Sequence, residues 1–72
     1  MERYYNTKES AVRIRQLRKK TNSTQSMLAE QANISVDTIK RLEHGNEGSV
    51  NVLLAIANVY DVSLDYLVGC ET

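Results

Sequence analysis

The stretch TQSMLAEQANISVDTIKRLEHG, residues 24–45, predicts two short helices joined by a tight turn. Thr24 and Ser35 are residue types that cap helix N-termini, and each precedes a run with apolar residues at helical spacing. Asn33 follows the first run, at a position where helices often end in a left-handed residue. Gly45 ends the second run in the same way. The sequence therefore predicts a helix, a brief turn and a second helix.

The second of these helices has two chemically different faces. At about 100° per residue, Ile39 and Leu42 fall on one face together with Ser35. The opposite face is polar and carries Asp37, Lys40, Arg41 and His44. One face is expected to be buried and the other to make contacts. This is the plan of a helix-turn-helix, whose second helix enters the major groove of DNA.

Three further helices are predicted around this motif, over about residues 7–20, 50–60 and 64–68. Their predicted caps are Asn6, which forms a capping box with Glu9, and the serines Ser49 and Ser63. The chain has no proline and three glycines, so little interrupts helix formation. We therefore expect an all-α fold, a compact five-helix bundle in which residues 1–72 form a single domain.

Composition excludes several classes of function. A chain of 72 residues is too short for a large catalytic cleft, and it carries one histidine, one cysteine and no paired-carboxylate or glycine-rich phosphate motif. The lone Cys70 permits no intramolecular disulfide and no Cys/His metal spacing. Neither a membrane span nor the apolar core of a signal peptide is present. We expect a soluble cytoplasmic protein that is not an enzyme and holds no cofactor or metal.

Charge is distributed unevenly along the chain, although nine basic and nine acidic side chains cancel. Residues 1–22 carry a net charge of +5, residues 23–45 of −1 and residues 46–72 of −4. Overall neutrality argues against a general nucleic-acid binder, but a fold that exposes the first segment can still present a locally basic surface.

The chain resembles the phage repressor/Cro family of helix-turn-helix domains over about residues 10–69. The most specific motifs are TQSMLAEQA, followed at a fixed distance by IKRLEHG, and the closing VSLDYL. The resemblance implies a lambda-repressor-like fold with helices 2 and 3 as the helix-turn-helix and residues 1–9 as an N-terminal extension. It also implies a transcriptional regulator that binds double-stranded DNA sequence-specifically, as a repressor-like or Cro-like homodimer on a palindromic operator.

The resemblance also implies roles for single residues. Three groups of positions match DNA contacts in the family. Thr24 and Gln25 begin helix 2, where family members hold a phosphate and brace the recognition helix. The positions that approach base edges are Ser35, Val36, Asp37, Thr38 and Arg41, and those near the DNA backbone are Lys40, His44 and Asn46. Structural alternatives stay open: Thr24 and Ser35 as caps, Val36 as a packing residue, and Asp37 as a partner of the helix dipole or of Arg41.

Family resemblance pairs Glu43, which lies next to the buried side of its helix, with Arg18 in a structural ion pair. Four further basic residues of helix 1 form a solvated face or contact DNA: Arg13, Arg15, Lys19 and Lys20. Three positions depart from the family. They are Ser23 in place of an apolar residue, Met27 in place of a capping glutamate, and Glu47 in a loop where relatives are often basic. Ser23 is expected to weaken the packing of the turn, and Met27 removes a capping box. The net acidic helix-turn-helix segment and Glu47 are expected to weaken DNA binding, so affinity is expected to depend on dimerisation.

Helix 4 carries two apolar stripes. The predicted inner face is Val50, Leu53, Leu54, Ala57 and Tyr60, and the second stripe is Val52, Ala55 and Val59. The second stripe is either covered by Tyr4 and Tyr5 or forms a dimer surface. A near-neutral chain with such a stripe also fits an alternative function, a protein-binding module such as an antitoxin-like or adaptor partner.

Overall fold

The computed structural model describes residues 5–70, and this part of the chain contains five helices and no strand. The helices are α1 Thr7–Lys20, α2 Gln25–Ala32, α3 Val36–Glu43, α4 Val50–Tyr60 and α5 Leu64–Val68. The predicted all-α five-helix bundle is confirmed, with the helix-turn-helix formed by α2 and α3. None of these helices is long and apolar enough to cross a membrane.

Each helix begins at a polar cap whose side-chain oxygen accepts a hydrogen bond from the backbone N–H three residues later. The five caps are Asn6, Thr24, Ser35, Ser49 and Ser63, and the N–H to oxygen contacts measure 3.0–3.2 Å. Since these caps are local, the sequence was sufficient to predict where the helices begin.

The capping box predicted at the start of α1 is only half formed. Asn6 accepts from the N–H of Glu9, but the Glu9 carboxylate does not return to the Asn6 backbone. It pairs with Arg13 at 3.2 Å. The Asn6 N–H donates instead to the carbonyl of Val68, 2.9 Å away in α5. The tertiary contact between α1 and α5 thus replaces the local one.

The core takes one fully buried aliphatic side chain from each helix: Ile14, Leu28, Ile39, Ile56 and Leu67. Burying a side chain of this size contributes about 1.5–3 kcal/mol relative to leaving it exposed. Because every helix supplies one of these side chains, displacing any helix would expose part of the core to solvent. This packing fixes α3 with one face inward and the other toward solvent.

The predicted inner face of α4 is wrong at two positions. Val50 is 61% exposed and Leu54 is 40% exposed, whereas Ile56 is fully buried beside Leu53 and Ala57. Val52, Ala55 and Val59 of the second stripe are half-buried and pack against the core, and their role as a dimer surface stays a prediction. With apolar residues nearly all round the helix, periodicity could not choose the buried side.

Tyr5 folds back onto the bundle, as one interpretation of the second stripe predicted. Its ring is half-buried and packs against the hydrophobic core. Its hydroxyl oxygen accepts a hydrogen bond from the backbone N–H of Gly48, 3.1 Å away in the loop before α4. Tyr4 lies outside the described residues.

Candidate nucleic-acid interface

The turn between α2 and α3 has a defined backbone geometry. Asn33 adopts the left-handed conformation with φ 58°, and its N–H donates to the carbonyl of Glu30. The N–H of Ile34 donates to the carbonyl of Ala29 at 2.9 Å. These two bonds form a Schellman motif, which satisfies the last carbonyls of α2 and turns the chain sharply. The angle between the two helices is thereby set by the backbone itself.

The two faces predicted for α3 are present. Ile39 and Leu42 are buried, while the opposite face exposes Asp37, Lys40, Arg41 and His44. Ser35 differs from the prediction, because it is exposed and does not lie on the buried face. As the cap it lies outside the helical repeat, so the angular count does not apply to it.

The first turn of α3 is ordered by its own polar side chains. The Ser35 hydroxyl accepts from the N–H of Thr38 at 3.1 Å and shares a hydrogen bond with the Thr38 hydroxyl at 2.8 Å. Val36 is half-buried and packs against the core. This contact supports the alternative in which Val36 is a packing residue. The hydroxyls of Ser35 and Thr38 lie together at the exposed N-terminal end of the helix.

Asp37 and Arg41 do not form the ion pair that their spacing permits. Both side chains are exposed, and within residues 5–70 neither makes a salt bridge or a side-chain hydrogen bond. Asp37 lies in the first turn, where its carboxylate favours the helix dipole. The Arg41 guanidinium keeps all five N–H donors available for a ligand.

A shallow cleft of about 160 Å³ lies between α3 and the loop that follows it. It is lined by Thr38, Arg41, Leu42, Glu47, Gly48 and Ser49. Asn46 holds the start of this loop against α3, because its backbone N–H and its side-chain amide both donate to the Arg41 carbonyl at 3.0 Å. A basic and an acidic side chain, Arg41 and Glu47, therefore share one exposed wall.

The predicted ion pair between Arg18 and Glu43 is present at the C-terminal end of α3. Arg18 donates Nε to one carboxylate oxygen of Glu43 at 2.6 Å and Nη2 to the other at 2.8 Å. Gln25 adds a third donor at 3.2 Å, so the first residue of α2 braces the last residue of α3. Glu43 is 8% exposed, and the hydrogen bond to its carboxylate raises the pKa of Arg18.

The other arginines of α1 also serve the fold. Arg15 donates to the carbonyl of Glu43, and Arg13 donates to the carbonyl of Tyr66 while its guanidinium lies 4.5 Å from the centre of the Tyr66 ring. The alternative of a merely solvated face is therefore wrong for these two, whereas their contact with DNA stays a prediction. They supply cations to helix C-terminal carbonyls, a role that only the tertiary structure reveals.

Ser23 fits a polar environment where the family usually has an apolar residue. Its carbonyl accepts from Nη1 of Arg18 at 3.2 Å. Its hydroxyl lies 2.6 Å from that of Thr21. The departure from the family predicts weaker packing of the turn, but the residue joins the hydrogen bonds around the Arg18 side chain.

Comparison with known proteins supports the motif seen in the structure. A family model described as helix-turn-helix matches residues 14–67, from the middle of α1 to α5. The match includes both α2 and α3 and covers most of the chain. Comparison with curated proteins gave no significant match.

Proposed function

The chain belongs to the Cro/C1-type helix-turn-helix family of DNA-binding transcription regulators, and from this premise we propose a repressor-like protein that binds a palindromic operator as a homodimer in the cytoplasm. The observation that carries the proposal is the exposed polar face of α3 on a helix whose other face is buried. Such a helix can enter the major groove without loss of core packing. The family is not an enzyme family.

The proposed roles follow from side-chain chemistry. Arg41 donates two hydrogen bonds to a guanine, and Asp37 accepts one from a cytosine amino group. Ser35 and Thr38 contact bases or phosphate at the N-terminal end of α3, where the helix dipole is positive. Thr24, at the start of α2, holds a phosphate on the other side of the groove. Gln25 serves mainly as a brace, because its amide already donates to Glu43.

Electrostatics supports a dimer as the binding unit. The basic side chains Lys40 and Arg41 on the exposed face are balanced by the carboxylates of Asp37 and Glu47. Counterion release dominates the affinity of most DNA-binding domains, and it therefore adds little to the DNA affinity of a single protomer. A dimer that places two protomers on half-sites about 34 Å apart combines the contacts of both and binds DNA more tightly than one protomer.

The test of the proposed face is an NMR titration of the ¹⁵N-labelled protein with a mixed-sequence duplex at low salt, where non-specific phosphate binding is strongest. We expect the largest amide shifts at residues 24–25, 35–41 and 44–46. Shifts centred on α4, or none at all with the protein folded, would contradict this assignment.

Removing the carboxylate of Glu47 is expected to strengthen DNA binding. Glu47 is exposed and shares a cleft with Arg41, so its charge repels a nearby phosphate. Glu47→Gln should lower the Kd for duplex DNA about two- to fivefold in low salt, with less gain at high salt. Glu30→Gln, the same change at another exposed glutamate on α2, is the matched control in a fluorescence anisotropy titration. Equal effects of the two substitutions would refute the local repulsion.

The homodimer predicts a surface that can be tested on α4. Val50 and Leu54 are its exposed large apolar side chains and are further candidates, beside the half-buried stripe, for contact with a second copy. Leu54→Lys should weaken self-association at least tenfold in sedimentation equilibrium, an effect of about 1.4 kcal/mol. Val12→Lys, on a similarly exposed apolar residue of α1, serves as the control. A dimer that persists in Leu54→Lys would place the interface elsewhere.

A further inference from the structure

The loop after the recognition helix, residues 44–49, is held by a tyrosine that precedes α1. The Tyr5 hydroxyl accepts the N–H of Gly48 at 3.1 Å, across 43 positions of sequence. The Tyr5 ring packs against the core, so the hydroxyl is presented from a fixed position. Tyr5 also lies before residues 14–67, the part of the chain that matches the family.

Gly48 lies tightly between Tyr5 and α3. A Cβ atom at this position would lie 2.5 Å from Cδ2 of Leu42, which is closer than real Cβ contacts. Leu42 is itself buried, so it has little room to yield. The loop can approach α3 this closely because residue 48 has no side chain. At that point the Tyr5 hydroxyl supplies the hydrogen-bond acceptor for the Gly48 N–H.

The same loop forms part of the surface proposed to bind DNA. Glu47 and Gly48 line the cleft together with Arg41, and Asn46 donates twice to the Arg41 carbonyl. At the far end of the loop, Ser49 caps α4. Between these two ends, the hydrogen bond from Gly48 to Tyr5 is the one within residues 5–70 that restrains the middle of the loop.

We infer that Tyr5 is a positioning residue for DNA recognition, which it serves by holding the 44–49 loop against α3. The inference rests on the proposed function. The hydroxyl keeps the Glu47 carboxylate and the loop backbone at a set distance from Arg41. Without that bond the middle of the loop moves away from α3 and its acidic side chain samples positions nearer the DNA backbone. DNA affinity then depends on a residue that makes no DNA contact.

The experiment compares Tyr5→Phe with the wild-type protein. The substitution removes one hydroxyl and keeps the ring that packs on the core. In the free protein, hydrogen exchange should be about tenfold faster at the Gly48 amide, while amides in the middle of α1 and α4 keep their protection. The Kd for a selected operator should rise about three- to tenfold at a temperature where both proteins are fully folded.

Tyr66→Phe is the matched control. It makes the same chemical change on α5, where the Tyr66 hydroxyl has no hydrogen bond within the described residues. It should leave both the Gly48 exchange rate and the Kd unchanged. A purely structural role for Tyr5 would alter exchange and stability but leave the Kd of the folded protein as it is.

Two results would overturn the inference alone: unchanged exchange at Gly48, or faster exchange with an unchanged operator Kd. Failure of the wild-type protein to bind any duplex would instead contradict the proposed function, and this inference with it. Because the exchange measurement uses the free protein and the titration includes the wild type, the two failures are distinguishable.

Discussion

Replacing Glu43 with alanine is expected to lower the free energy of unfolding by about 3–5 kcal/mol. The substitution removes the partner of Arg18, whose side chain is 16% exposed, and leaves a partly buried cation without its two carboxylate bonds. It also deprives the Gln25 amide of its acceptor. In a chain of this size each kcal/mol shifts the melting temperature by about 4–8 °C, so the loss should be visible in a circular dichroism melt.

Glu47→Ala is the control for this change, because it removes an exposed carboxylate and should alter stability by at most about 0.5 kcal/mol. A double variant, Arg18→Met with Glu43→Met, should recover much of the loss, since it replaces both charges with apolar groups of similar length. An unchanged melt for Glu43→Ala would mean that the carboxylate is solvated and the pair contributes nothing.

The Arg18 contribution is not expected to vary with pH near neutrality. Hydrogen bonding to Glu43 raises the pKa of Arg18 in the folded state above its ordinary value. A raised pKa stabilises the fold at every pH below the unfolded value, and this stabilisation is lost only as the pH rises through the folded value. For arginine that window lies in strong alkali.

Replacing Arg41 with alanine is expected to relax base preference at one position of the operator half-site by about 1–3 kcal/mol. The reason is that the exposed guanidinium has no partner within residues 5–70 and can donate two hydrogen bonds to a guanine. Helicity should stay unchanged, since alanine is a better helix former. Affinity measured for the operator and for each single-base variant checks the prediction.

Lys40→Ala separates base recognition from charge. Lys40 is another exposed cation, one residue earlier on α3. Its loss should weaken binding uniformly across sequences and reduce the salt slope by about one. If Arg41→Ala gives that same uniform pattern, Arg41 contacts phosphate and the assignment of base recognition to it is wrong.

The secondary structure could be predicted because its determinants are local. Caps such as Ser35 and Ser63, and the left-handed Asn33, act within a few residues of their own position, and the helix bounds follow from them. The ion pair of Arg18 and Glu43 joins residues 25 apart, and it was predicted from the family resemblance alone.

The remaining features depend on tertiary packing. Arg13 and Arg15 look like solvated charges in the sequence, but each reaches a carbonyl of another helix. The hydrogen bond from Gly48 to Tyr5 joins distant parts of the chain, and no periodic pattern in the sequence predicts it. On α4 both stripes are apolar, so only the packing against α2 and α5 determines that Leu54 is exposed.

The central claim is that the exposed face of α3 recognises a DNA sequence. It is tested most directly by selecting binding sites from a random duplex pool with the purified protein at low and moderate salt. We predict enrichment of an inverted repeat whose half-site centres are about one helical turn apart. Absence of any enriched sequence, from a protein that is folded and helical, would contradict the claim and favour a protein-binding module that uses the exposed side of α4.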